Sequence, residues 1–150
     1  FNGASTMVLV PLVVDAVSIP VVAAGGIGDS RGYRAAFALG AQGVQVGTRF
    51  IASRECIAHG NYKDALVQSA ETDTRVLNME WAQVRVVNTP LVEKMMASPG
   101  KEDFSAMGST IEDAWVKGDL DANTIPAGQI SGMVRDVKSV REIIEEMVAA

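Results

Sequence analysis

Two glycine-bearing turns hold the residue types in this chain that are best suited to chemistry. Ala23-Ala24-Gly25-Gly26-Ile27-Gly28-Asp29 closes the apolar run Pro20 to Ala24, and Val46-Gly47-Thr48-Arg49-Phe50 closes the run Gly43 to Val46. Glycine has no Cβ and accepts positive φ, so backbone amides can come close to an anion. Thr48 adds a hydroxyl donor. Two such turns aimed at one place make a cradle for a phosphate group. The residues expected in it are Gly25 and Gly26 from the first turn, and Gln45, Gly47 and Thr48 from the second. The helix beginning near Ser30 is expected to add its positive N-terminal end.

Other chemistry is thin. His59 is the only histidine, so a histidine-rich metal site is out of reach, and Cys56 with His59 does not make one. No nucleophile elbow supports a Ser-His-Asp triad built on His59. His59 reads as structural, at the start of the helix after Gly60. Glu55, just past the second turn, reads as a structural partner of Arg49 or Arg54. Cys56 reads as a passive, half-buried thiol. Trp81 and Trp115 read as core residues rather than ligand-stacking ones.

The elements that must position the turns follow from the apolar pattern. Val8 to Val17 reads as a buried helix with Pro11 in its first turn. Ser18-Ile19-Pro20 is a loop into the first strand, which has no polar residue from Ile19 to Ala24, as expected of a parallel strand covered on both faces. Asp29 or Ser30 caps the next helix, and Gly40 ends it. In the second strand Gln45 and Gly47 share one face, opposite Val44 and Val46. A buried Gln45 would need a hydrogen-bond partner, which a ligand rim would supply. The order strand, glycine turn, helix, strand, glycine turn puts both turns on one face of a parallel α/β sheet or barrel.

Further along, Asn61 to Ala70 reads as an amphipathic helix and Thr74 to Asn78 as a short strand. From Val84 the pattern is expected to be mainly helical, broken at Ser98-Pro99-Gly100 and turning at Gly118-Asp119-Leu120-Asp121. The final helix carries Val140, Ile143, Ile144, Met147 and Val148 in one stripe. Ser139 and Glu142 form an S-x-x-E capping box at its start.

Composition bounds the function. The 150 residues, 48% hydrophobic and 21% charged, suit one globular core. A net charge of −5 with scattered acidic residues argues against a nucleic-acid partner. No apolar run approaches the roughly 18–20 residues that cross a bilayer, and Phe1 to Thr6 lack the marks of a signal peptide. A single cysteine fits a reducing cytoplasm. No strand precedes the Val8 helix, although the two following units each run strand then helix. The expectation is the back part of a longer protein, poorly soluble or forming a homodimer when alone because apolar faces and strand edges are left uncovered.

Four stretches together resemble one family. Thr6-Met7-Val8-Leu9-Val10-Pro11, Val22-Ala23-Ala24-Gly25-Gly26-Ile27, Gly43 to Phe50, and Ala127-Gly128-Gln129-Ile130-Ser131-Gly132 are similar to segments of the nitronate monooxygenases, formerly 2-nitropropane dioxygenases. The FMN-dependent enoyl-ACP reductases share these motifs. The resemblance implies the C-terminal part of an FMN-binding (β/α)8 TIM barrel, its strands and helices at about 8–80 and a mostly helical region at about 84–150. It implies oxidation of small alkyl nitronates with O2, or alternatively NAD(P)H-dependent enoyl-ACP reduction. A phosphate- or FMN-binding half-barrel without catalytic activity is the alternative from another class. The resemblance assigns Gly25, Gly26, Gln45, Val46, Gly47 and Thr48 to the FMN phosphate and brings Gly128 and Gln129 near the flavin. It places a histidine base in a Gly-Gly-His-x-Gly segment ahead of Thr6. The corresponding residues here are Phe1-Asn2-Gly3, so the base either precedes Phe1 or is replaced, and the catalytic residue is left unassigned.

Overall fold

The computed structural model describes residues 3–79, 82–97 and 110–149. Its first unit is the strand–helix repeat that holds the glycine turns. Helix α1 (Thr6–Ala16) leads into β1 (Val22–Ala24), then α2 (Ser30–Ala38) and β2 (Gly43–Gln45). β1 and β2 pair in parallel, with Val22 opposite Gly43, Ala23 opposite Val44 and Ala24 opposite Gln45.

The side chains of one sheet face bury a small core. Ala23 joins Val10, Ile27, Ala36 and Ala41, with Val14, Leu39, Val44 and Val46 packed against them. The other face is open: Val22 is 58% exposed, and Ala24 and Gln45 are exposed beside it. That face has no neighbour among the described residues. An unbroken apolar run does not reveal which of its alternating sides finds a neighbour.

Much of α1 is likewise uncovered among the described residues. Only Val10 among its residues is buried, while Met7, Val8, Leu9 and Leu12 are about half exposed or more. Pro11 sits inside the helix rather than in its first turn, because the helix begins at Thr6. It removes one backbone donor there. Helix α2 is bounded as the sequence indicates. Asp29 is its N-cap, accepting from the amides of Arg31 and Gly32, and Gly40 stops it at φ +94°.

After β2 come the short helix α3 (Thr48–Ile51) and α4 (Gly60–Gln68). Then β3 (Thr74–Asn78) pairs antiparallel with β4 (Gln83–Val87). The strand at Thr74 to Asn78 is where the sequence places it. The expected helical region from Val84 instead opens on β4, a Val-rich strand paired with β3. Helices α5 (Pro90–Met95) and α6 (Ile111–Trp115) come next, then a 3-10 turn (Gln129–Met133) and α7 (Val140–Val148). Ser98 to Gly100 and Trp81 lie outside the described residues.

Two further cores hold this second half. Tyr62 and Leu66 of α4 pack with Ala52, Val87, Ala114, Ile125, Ala127 and Val134. Leu77, Val86, Leu91, Val92 and Met95 form the other core, beneath the hairpin. The Tyr62 hydroxyl donates to the Pro126 carbonyl at 2.5 Å, and burial pushes its phenol pKa up. Trp115 packs against this core, and its indole donates to the Thr124 carbonyl at 3.1 Å. Helix α7 has the expected capping box. Its Ile143 and Met147 are buried and its Ile144 and Val148 half exposed, so the apolar stripe is only half covered.

Candidate functional site

The parallel register fixes where the glycine turns go. Ala24 and Gln45 are opposite each other at the ends of β1 and β2, so Gly25-Gly26 and Val46-Gly47 leave the sheet side by side. Gly25 and Gly26 take φ of +93° and +75°, a region costly to any residue with a Cβ. The Thr6 hydroxyl donates to the Gly25 carbonyl at 3.0 Å and ties the start of α1 to this turn.

The second turn is built differently. Gly47 is the N-cap of α3 at φ −108°, with no side-chain cap over the helix end. A Cβ built on Gly47 would meet no atom within 4 Å. Neither backbone conformation nor packing therefore explains a glycine there. The space in front of Gly47 is open, as it is at Gly3 and Gly60. The same open space lies in front of Gly26.

Thr48 links the turns to a distant segment. Its buried hydroxyl accepts from the Gly128 amide at 2.9 Å, which leaves the hydroxyl proton to be donated elsewhere. All four family-like stretches thus meet: Thr6 on Gly25, β1 on β2, and Thr48 on Gly128. A cleft of about 610 Å³ opens here, with Ser5, Thr6, Gly25, Gly26, Arg85 and Gly128 on its wall. Gln129 lines it as well, whereas Gln45, Val46, Gly47 and Thr48 do not. Thr48 reaches the wall through Gly128. The Val46 side chain packs into the core under the sheet, so only its backbone is free for a ligand. Gln45 is exposed, and the hydrogen-bonding demand of a buried amide does not arise.

One expectation about charge is overturned. The N-terminal amides of α2 are taken by the Asp29 carboxylate, which also pairs with Arg31 at 2.5 Å. Burial raises the Asp29 pKa, but hydrogen bonds from the Arg31 side chain and the Gly32 amide outweigh it, and the net shift is downward. An anion already occupies that helix end, so α2 does not offer it to a phosphate.

The other candidates are structural. His59 is the N-cap of α4, its Nδ1 accepting from the Asn61 amide at 3.1 Å. Glu55 binds neither arginine. Both its oxygens accept from the Val140 amide, at 3.1 and 2.9 Å, at the start of α7. Arg54 pairs with Glu142 instead. Cys56 is half buried and unbridged. Among the described residues no group of three or more His, Cys, Asp or Glu could hold a metal ion.

Sequence reasoning missed two residues. Arg85 stands on the cleft wall, on a strand that was not expected. Arg49 is buried against Asp136. An arginine inside the mainly apolar stretch Val46 to Ala52 was the available sign, because a buried charge requires a partner.

A family model described as nitronate monooxygenase matches residues 1–150. The chain belongs to the nitronate monooxygenase family. A probable nitronate monooxygenase of Staphylococcus saprophyticus is 50% identical over 91 residues, 60% of this chain and 26% of the relative. One from Staphylococcus aureus is 46% identical over 96 residues, 63% of this chain and 27% of the relative. Among solved structures, FabK from Thermotoga maritima superposes with TM-score 0.87 and 40% identity, over 99% of this chain and 49% of that one. A nitroalkane oxidase from Streptomyces ansochromogenes gives TM-score 0.79 and 28% identity, over 98% of this chain and 43% of that one. The chain thus spans about half the length of these solved structures. The family and these neighbours imply a TIM-barrel fold, of which the described α/β unit is a part. The chain is of an oxidoreductase family, and among the described residues no helix is long and apolar enough to cross a membrane.

Proposed function

We propose that the full-length protein is an FMN-dependent oxidoreductase that oxidises small alkyl nitronates with O2, and that this chain holds the FMN phosphate. The observation that carries the reading is Gly47, whose missing Cβ serves neither φ nor packing, set beside Gly26 and tied through Thr48 to Gly128. These residues fit a phosphate monoester: backbone amides at two adjacent turns and one hydroxyl with a free proton.

Bound FMN would supply the redox chemistry, taking electrons from the substrate. The work of this chain is to bind and orient. Gly25 and Gly26 present backbone at positive φ, Gly47 leaves space, and Thr48 donates. The described cleft wall has no imidazole or carboxylate, so these residues are assigned the cofactor and not proton transfer. A nitronate is already the deprotonated form of its nitroalkane, so its oxidation asks for no base from them.

The test is oxygen uptake by the full-length, FMN-loaded protein with an alkyl nitronate. Turnover supports the reading. Absence of turnover, with NAD(P)H oxidation on an enoyl thioester instead, replaces it with the enoyl reductase. Neither activity in a protein that binds FMN leaves a binding module.

A further inference from the structure

Thr48 and Arg49 are consecutive in α3 and their side chains go to different parts of the chain, Thr48 to Gly128 and Arg49 to Asp136. The Arg49 side chain is only 8% exposed. Its Nη1 donates to the Asp136 carbonyl at 2.9 Å and its Nη2 to Asp136 Oδ1 at 2.6 Å. The other Asp136 oxygen is held by Lys138 at 3.1 Å. We propose that the Arg49–Asp136 pair is a positioning device that sets the Gly47–Thr48 turn for the phosphate without touching it. This inference rests on the phosphate reading given above.

The surroundings show why this pair can hold the turn in place. The chain just past Arg49 is stitched to the chain just past Asp136. Ser53 bridges to Lys138, the Arg54 amide donates to the Lys138 carbonyl at 2.9 Å, and Glu55 accepts from the Val140 amide. The run from Asp136 to Val140 therefore backs the whole stretch from α3 to Glu55. Arg49 is its contact nearest the turn, and α7, which begins at Val140, packs against both α2 and α3. A guanidinium held by two acceptors of one residue has a fixed plane, which an ammonium could not reproduce. Removing the carboxylate leaves the buried guanidinium only the Asp136 carbonyl as acceptor, so the fork is lost and the start of α3 is less firmly held. Thr48 lies there.

The experiment compares FMN with riboflavin, which lacks the phosphate, by fluorescence titration of the full-length protein. Asp136→Ala is expected to weaken FMN binding about tenfold and to leave riboflavin binding unchanged. Asp136→Asn keeps an acceptor at Oδ1 and is expected to lose less; it serves where the alanine variant does not fold. Arg49→Lys is expected to behave like Asp136→Ala, since it keeps the charge and loses the fork.

A general loss of fold would weaken both flavins alike, and that result overturns the proposal. Unchanged FMN binding in folded Asp136→Ala and Asp136→Asn also overturns it, while leaving the phosphate reading intact. A parent protein that binds FMN no better than riboflavin contradicts the phosphate reading itself, and this inference falls with it.

Discussion

Thr48 and Gly128 lie 80 residues apart and are joined by a hydrogen bond of 2.9 Å from the Gly128 amide to the Thr48 hydroxyl. That bond closes the loop before the 3-10 turn onto the second glycine turn. A Cβ on Gly128 would lie 3.4 Å from the Thr48 hydroxyl oxygen, an ordinary van der Waals contact. The cleft wall and the glycine turns are coupled at this point.

Replacing Thr48 tests that coupling. Thr48→Val leaves the Gly128 amide without its acceptor, at a cost of about 1 kcal/mol. Thr48→Ser keeps the oxygen and is expected to stay near the parent. Chemical denaturation of the full-length protein measures both, and equal stability of the two variants would contradict a role for the hydroxyl.

Gly47→Ala separates space for a ligand from space for packing. The φ of −108° suits any residue and no atom waits within 4 Å, so the expected stability change lies within about 0.5 kcal/mol. FMN affinity is expected to fall at least about tenfold, a shift of about 1.4 kcal/mol. Gly26→Ala should also lose stability, by about 1 kcal/mol, because its φ is +75°. Isothermal calorimetry beside a thermal melt gives both readings.

His59 is expected to matter for folding and not for the flavin. His59→Ala removes the cap on α4 and costs about 1 kcal/mol, whereas His59→Asn retains a capping acceptor. Gly118→Ala should be more severe. Its φ is +81° and its Cβ would collide with the His59 ring. Thermal melts rank the three, and flavin content per folded protein should be the same in all of them.

The start of α7 gives a pH dependence with a definite sign. Glu142 accepts from the Ser139 hydroxyl and amide, and these bonds hold its pKa below the usual 4.5. A carboxylate lowered in the folded state stabilises fully above its unfolded pKa and loses that contribution as pH falls through the lowered value. The stability gap between the parent and Glu142→Gln, which can still close the capping box, should be steady from pH 7 to about 5 and narrow below about 4.5. Melts across that range check it. A gap that widened with acid would contradict the assignment.

The parts of the fold that were legible in the sequence are those set by local rules. Asp29 and Gly40 bound α2, Ser139 and Glu142 open α7, and Thr74 to Asn78 is a strand, because capping chemistry and β-branched runs act over a few residues. What the sequence did not reveal depends on distant neighbours. The exposed side of α1 and the open face of β1 look the same in sequence as covered ones. The pattern from Val84 predicts helix, yet Val84 to Val87 pairs with β3. Glu55 reaches Val140 and Arg49 reaches Asp136 over more than 80 residues. At the site itself, positions after two apolar runs identified the glycine turns. Only the geometry showed that Gly128 completes the turn at Thr48.

The most direct test of the central claim is the visible absorbance spectrum of the purified full-length protein, recorded before and after anaerobic addition of an alkyl nitronate. The account predicts a bound-flavin spectrum that bleaches. A colourless protein that takes up no added FMN would contradict it.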